Sequence, residues 1–303
     1  MSTDYYPQDL IGYGANPPQF HWPNQSRLAI NFVINYEEGA EQNSVNGDEH
    51  AETYLAEIPR PQLEPKQRDL FVESIFEYGS RAGIWRLYSL FNEFNIKTTV
   101  FTAGLAAQKN PQIIKSFADK GHEVAGHGFR WIDYRTIPEA IEREHIQHTL
   151  KIVQDITGKK TQGWYTGRKS LNTRKIIIEN GLLYDSDSYS DDLPYWITVD
   201  KKSHLIIPYT FDCNDAKYAM SPGWMSGDDF YEYLKATFTC LYREGKNHPK
   251  MMTIGLHSRI SGRPGRAQAI YRFLEFIQQY PETWICTREE IANFWHTQKK
   301  ENI

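Results

Sequence analysis

The sequence predicts a single-domain α/β fold, a parallel sheet with helical cover wound toward a deformed (β/α) barrel, entered through an irregular N-terminal arm. Three observations predict it. From residue 27 onward about eight short apolar runs alternate with helical patterns, the order that a parallel sheet with crossover helices requires. The helical patterns carry start and stop signals at their ends. No low-complexity linker and no internal repeat divides the 303 residues, so 27–298 is taken as one unit, with an arm at 1–26 and a polar tail at 299–303.

The arm is rich in Pro, Gly and Tyr. The first strand is expected at 28–36 and ends in Glu37-Glu38-Gly39. A second irregular stretch, 39–68, holds Pro59, Pro61 and Pro65; a connection of that length is usually functional or contains short elements of its own. A helix is expected over 81–94, with Ile84, Leu87, Tyr88 and Phe91 on one face. Strands follow at 98–103 and 122–125, separated by a helix that Asn110-Pro111 starts and Gly121 stops. Thr136-Ile137-Pro138-Glu139 reads as a capping box for a helix that ends at Gly158. Further strands are expected at 163–165, 182–184, 204–208, 251–256 and 283–286, and further helices at 173–180, at 228–244 and from a Thr287 capping box onward.

Composition narrows the function. With 40% hydrophobic and 24% charged residues a full core is possible. A net charge of −4 without a basic run gives no nucleic-acid footprint. No stretch approaches 18 apolar residues, so no membrane span is expected. The amino end lacks a basic segment followed by an apolar one, which argues against a signal peptide and for a cytoplasmic protein. Cys213, Cys240 and Cys286 are far apart and form no Cys-x-x-Cys pair, so neither a disulfide framework nor a zinc ribbon is expected.

In α/β barrels the chemistry sits where strands end and loops begin. Glu37 and Glu38 follow the first expected strand, His127 the third, Tyr165 and Arg168 the fourth, and His257 the seventh. Adjacent carboxylates can divide labour, one as general base and one as ligand or orienting group, unless both are merely solvated. His127, between Gly126 and Gly128, can be a ligand, a base or a hydrogen-bonded core residue. His257 can protonate a leaving nitrogen or simply be structural. Arg168 and Arg259 can bind a carbonyl or carboxylate through a planar fork, or pair with Asp187, Asp191 or Asp192. His145 and His148 lie mid-helix and are not expected to bind metal. A mononuclear zinc site often takes two His at close spacing plus a carboxylate. Here His127 is present and Trp131 holds the second position, so the pattern reads as a metallohydrolase site short of one metal ligand, with Glu38, His127 and His257 left as a residual set.

These residues carry a resemblance. Asn35-Tyr36-Glu37-Glu38-Gly39, the window from His127 to Trp131, and Leu256-His257 resemble the motifs of the polysaccharide deacetylases, the NodB-homology family. By that resemblance Glu37 stands for the base, Glu38 for a metal ligand and Trp131 for a lost histidine ligand. The departures are shared by one branch, the metal-independent allantoinases, and the likeness extends through Gly163-Trp164-Tyr165-Thr166-Gly167-Arg168 and Asp191 to Trp196. The resemblance implies hydrolysis of allantoin to allantoate, no metal or other cofactor, and a homotetramer. It implies Glu37, Glu38, His127 and His257 as catalytic, and Trp131, Tyr165, Arg168 and Arg259 as substrate-binding. The alternative is a carbohydrate N-deacetylase acting on chitin or peptidoglycan oligomers.

Overall fold

A computed structural model describes residues 8–59 and 61–301. Its centre is one strongly curved sheet of nine strands. In chain order these are β1 Leu28–Tyr36, β2 Thr99–Thr102, β3 Glu123–Gly126, β4 Gly163–Trp164, β5 Tyr184–Asp185, β6 Tyr195–Val199, β7 Lys202–Ile206, β8 Lys250–His257 and β9 Thr283–Ile285. The spatial order is β6-β7-β5-β4-β3-β2-β1-β8, with β9 also on β1. β1 is buried along its whole length, as expected for a central strand covered on both faces. Its start is flanked by β8 and β9 and its end by β8 and β2, since Leu28 registers with Lys250 and Thr283 while Tyr36 registers with Thr102.

All pairs but one are parallel, so the strand ends form a common rim. The exception is the antiparallel β6–β7 hairpin. It departs from the expected strict alternation, and β6 was not expected at all. Its burial is only partial, which is why no clean apolar run marks it. The path ends at β6 and β8 without joining them, so the barrel is deformed and open.

The helices are α1 Leu70–Tyr78, α2 Ile84–Glu93, α3 Gly104–Lys109, α4 Pro111–Asp119, α5 Glu139–Thr157, α6 Thr173–Glu179, α7 Gly227–Glu244, α8 Ser258–Ser261, α9 Pro264–Ile277 and α10 Arg288–Glu301. The main core lies between β1, β2 and β8 on one side and α1, α2, α4, α7 and α9 on the other, around Phe32, Phe91, Phe117, Phe238 and Phe273. The Thr287 capping box forms: Thr287 N donates to Glu290 Oε2 and Glu290 N to Thr287 Oγ1. The Thr136 box does not. Thr136 Oγ1 donates back to the Asp133 carbonyl, and α5 begins after Pro138 without a side-chain cap. The helix expected at 81–94 starts earlier, because α1 runs into α2 through one π-turn, Gly79–Gly83. The tail expected from residue 299 is helical as far as Glu301; residues 302–303 lie outside the described residues, as do 1–7 of the arm. The described part of the arm is irregular yet anchored: Phe20 and Trp22 pack their rings on Phe294 and Trp295.

Candidate active site

The rim at the C-terminal strand ends gathers the expected residues from across the chain. Asn35 and His257 are register partners on β1 and β8, so the Glu37-Glu38 turn and the start of α8 leave the sheet side by side. His127 follows β3, and its N–H is held by the Thr102 carbonyl at the end of β2. A cavity of about 70 Å³ opens there, lined by Asn35, Glu37, His127, Tyr209 and His257, with Trp131 and Tyr165 as aromatic walls. A larger hollow of about 430 Å³ lies at the opposite end of the sheet, around Lys97, His122 and Glu123. Its lining mixes Glu123, Glu289 and Glu290 with Lys97, Lys159 and Lys160, but it lies away from the C-terminal strand ends; the smaller cavity, where Glu37 stands 3.6 Å from His257 at that rim, is the better site.

Glu37 is the hub. Its Oε1 accepts from His127 Nε2 at 3.0 Å and lies 3.6 Å from His257 Nε2, while its Oε2 accepts from Arg259 Nη1 at 2.7 Å. Burial alone would push its carboxyl up. The Arg259 guanidinium, with His257 and His127, overrides burial and holds it well below the usual carboxylate range. His127 donates its Nδ1 proton to the Tyr165 carbonyl at 2.7 Å, because a carbonyl can only accept. The His127–Glu37 contact therefore needs a further proton of its own, and the two side chains form one proton-holding pair.

His257 faces this pair from the other side. Its Nδ1 donates to Asp215 Oδ1 at 2.6 Å, and Asp215 Oδ2 accepts from the backbone N–H of His257 and Ser261. Burial would lower the imidazole pKa, but Asp215 and Glu37 raise it above the ordinary value, so the imidazolium is favoured.

Glu38 turns away from the cavity. Its oxygens accept from Glu37 N, Ser258 Oγ and Arg259 N, and burial pushes its carboxyl up to about 6 against the pull of Arg259. Room for it comes from Gly79, where a Cβ would stand 2.3 Å from Glu38 Oε1. Gly83 allows the same π-turn to press on α8, since a Cβ there would meet the Ser258 carbonyl oxygen at 2.1 Å. A π-turn at this place thus sets the loop that carries Ser258 and Arg259.

Trp131 lies between two guanidinium groups. Arg259 Cζ is 4.9 Å from its ring centroid and Arg168 Cζ is 4.3 Å away, both within cation–π range. Arg168 Nη2 donates to Glu52 Oε2 and to the Trp131 carbonyl, and Arg259 pairs with Glu37 and Glu38; neither uses Asp187, Asp191 or Asp192. Asp187 instead accepts from the N–H groups of Thr166 and Gly167 and so shapes the turn carrying Tyr165 and Arg168. His145 bonds Tyr134 and His148 stacks on Phe129, away from the site.

Asp215, Tyr54, Leu55 and Tyr209 escaped the sequence. Asp215 opens a short 3-10 turn, Asp215–Ala219, too brief to show periodicity, and only its later neighbour His257 gives it meaning. Tyr54 and Leu55 come from the irregular stretch and line the cavity. Leu55 has φ +56° and Glu57 φ +70°, left-handed values that are costly for side-chain-bearing residues. Glu57 makes a two-pronged ion pair with Arg266 at 2.7 and 2.9 Å, which holds this strap down.

Residues 65–184 match the family model for polysaccharide deacetylases. A Schizosaccharomyces pombe protein provisionally named a polysaccharide deacetylase is 42% identical over 313 residues, covering 96% of this chain and 97% of its own. The chain belongs to the polysaccharide deacetylase family. Two solved structures are also similar, each with TM-score 0.93 and 48% identity over 96% of this chain and 98% of theirs. One is a Pseudomonas aeruginosa PAO1 protein, again provisionally named a polysaccharide deacetylase, and the other is PuuE allantoinase.

The family motif implies a metal held by the positions of Glu38, His127 and Trp131. The residues present do not fit one. An indole carbon wall replaces the second imidazole, Glu38 spends its oxygens on three protein donors, and His127 has both nitrogens engaged. A guanidinium, itself cationic, already stands 3.7 Å from Glu38 Oε1 and repels a second cation. Among the described residues no group of three His, Cys, Asp or Glu side chains is placed to hold a metal.

Proposed function

We propose that this chain is an allantoinase, a hydrolase that opens the hydantoin ring of allantoin to give allantoate without a metal. The observation that carries the reading is the buried Arg259 guanidinium locked onto Glu37, beside an acid–base pair and in place of a metal donor set. The 48% identity to PuuE allantoinase over nearly the whole chain supports it.

The chemistry fits such a substrate. In a hydantoin the nitrogen leaving the attacked carbonyl is also bonded to a second carbonyl, so its charge is delocalised and a metal is less needed. Water attacks the ring carbonyl and gives its proton to the Glu37–His127 pair. The C–N bond breaks, and His257 hands its Nε2 proton to the departing nitrogen while Asp215 steadies the imidazolium. Arg259 keeps Glu37 ionised, and Arg168, whose Nε has no partner, offers a fixed donor to a carbonyl oxygen. Trp131 and Tyr165 form flat walls for the ring. Glu38 acts from behind, by holding Ser258 and Arg259, and does not meet the substrate.

The names of two relatives favour a second reading, a carbohydrate N-deacetylase. A polymer calls for a broad open groove, whereas the acid and base groups here face a small cavity that Tyr54, Leu55 and Trp131 also line. The deciding experiment is turnover of racemic allantoin measured beside an acetylated chito-oligomer. Allantoate formation is expected; release of acetate without allantoate formation sinks the proposal.

A further inference from the structure

Resting on the cyclic-ureide reading above, the geometry points to a substrate-edge reader on the cavity wall made of Asn35 and Tyr209. We propose that Asn35 Oδ1 accepts a ring N–H while the Tyr209 hydroxyl donates to the neighbouring ring carbonyl, so that the pair recognises a cis amide edge.

Asn35 Nδ2 donates to the Leu256 carbonyl at 3.2 Å and to the Tyr209 hydroxyl at 2.8 Å. A carbonyl oxygen can only accept, so the amide cannot be turned over without setting two acceptors against each other. Its orientation is thereby fixed, and Oδ1 is left without a partner although Asn35 is 1% exposed. The Tyr209 oxygen, having accepted from Asn35, must place its own proton elsewhere. Among the described residues no acceptor receives it, and Tyr209 too is buried. Both residues line the cavity together with Glu37, His127 and His257.

Buried polar atoms are almost always paired. One unpaired acceptor, beside a hydroxyl that accepts a bond but has no recipient for its own proton, in two residues that line one cavity, calls for a ligand that shows a donor and an acceptor side by side. A lactam or hydantoin ring does this, because ring closure forces its amide cis and brings N–H and C=O to one edge. An acyclic secondary amide is trans, with the two groups on opposite edges. An N-acetyl sugar therefore satisfies one member of the pair and leaves the other unmet. Tyr209 is held upright for this task by packing of its ring on Tyr165, with centroids 4.5 Å apart, and on Phe101.

The test is calorimetric binding of hydantoin, 1-methylhydantoin, 3-methylhydantoin and N-acetylglucosamine to the wild-type chain and to Tyr209→Phe, with allantoin turnover followed in parallel. Tyr209→Phe removes one oxygen; melting temperature and circular dichroism report whether it folds. Hydantoin is expected to bind Tyr209→Phe at least about tenfold more weakly, with KM for allantoin rising more than kcat falls. One of the two methylated hydantoins is expected to bind the wild type at least about tenfold more weakly than hydantoin, since it lacks the N–H that Asn35 reads. If a folded Tyr209→Phe binds hydantoin as the wild type does, or if neither methyl group matters, the edge reader is refuted while allantoin turnover by the wild type still upholds the function. If the wild type neither binds hydantoin nor turns over allantoin, both inferences fall together. Should Tyr209→Phe not fold, the methyl series on the wild type decides alone.

Discussion

Asp215 Oδ1 lies 2.6 Å from His257 Nδ1, across 42 positions of sequence. The carboxylate fixes which nitrogen of the ring faces the substrate: Nδ1 is taken, so Nε2 is the atom that looks toward Glu37. It also raises the imidazole pKa above its ordinary 6.5 in spite of burial.

The pH profile follows from that sign. A proton donor works only while protonated, so kcat/KM is expected to hold below the raised His257 pKa and to fall as pH climbs through it, above 6.5. The same protonation stabilises the fold below the unfolded value and is lost over the same rise. Asp215→Asn removes the larger of the two carboxylates that oppose burial and leaves only Glu37, so the alkaline limb moves to lower pH and kcat falls by about 10²-fold or more. A pH–rate profile of the two proteins checks this; an unmoved limb removes Asp215 from the mechanism.

Glu37→Gln and His257→Ala are each expected to lower kcat by about 10²-fold or more, the usual scale for acid–base groups. Their effects are not additive, since both serve one proton transfer chain. Steady-state kinetics of the single and double variants measure this, and wild-type rates in either single variant exclude that residue.

Arg259→Met strips two buried carboxylates of their shared cation. Breaking a buried pair in this way costs about 3–5 kcal/mol, because the remaining charge is left uncompensated. Denaturant unfolding should show the loss, largest at pH 8 and smaller near pH 5, where Glu38, which burial pushes up and which no longer has Arg259 to hold it down, takes up a proton. A loss independent of pH contradicts the account of Arg259 as the counter-ion.

Trp131→His restores the missing imidazole but leaves Arg259 in place. It is expected to take up no stoichiometric zinc after incubation and dialysis, by elemental analysis, whereas Trp131→His combined with Arg259→Met should bind more. Wild-type turnover is expected to survive prolonged chelation. Full zinc loading of the single variant would show that indole, not guanidinium, is what keeps the metal out.

Glu123 offers a test far from the site. Burial pushes its carboxyl up to about 7 from 4.5, against hydrogen bonds from Thr99 and Tyr184. Between those two values the folded chain keeps a proton that the unfolded chain releases, so stability is expected to fall as pH rises across the window, by about 3 kcal/mol in all. Urea titrations at pH 5 and pH 8 measure the slope, and Glu123→Gln should flatten it.

By itself the sequence determined the strand–helix alternation and which residues stand at strand ends, because burial on both faces demands unbroken apolar runs and helix ends demand Gly, Pro and caps. That was enough to bring Glu37, His127 and His257 to one rim and to show a Trp at residue 131, where the family motif places a second His. It left the hairpin strand β6, only partly buried, and the start of α1 out of view. Only the tertiary structure decided the partners: that Arg259 reaches Glu37, that Glu38 turns inward against Gly79, that Asp215 backs His257, and that Asn35 and Tyr209 share one unspent donor and acceptor. Hydrogen bonds and ion pairs act over about 3 Å, a distance that chain position does not encode between loops brought together by folding.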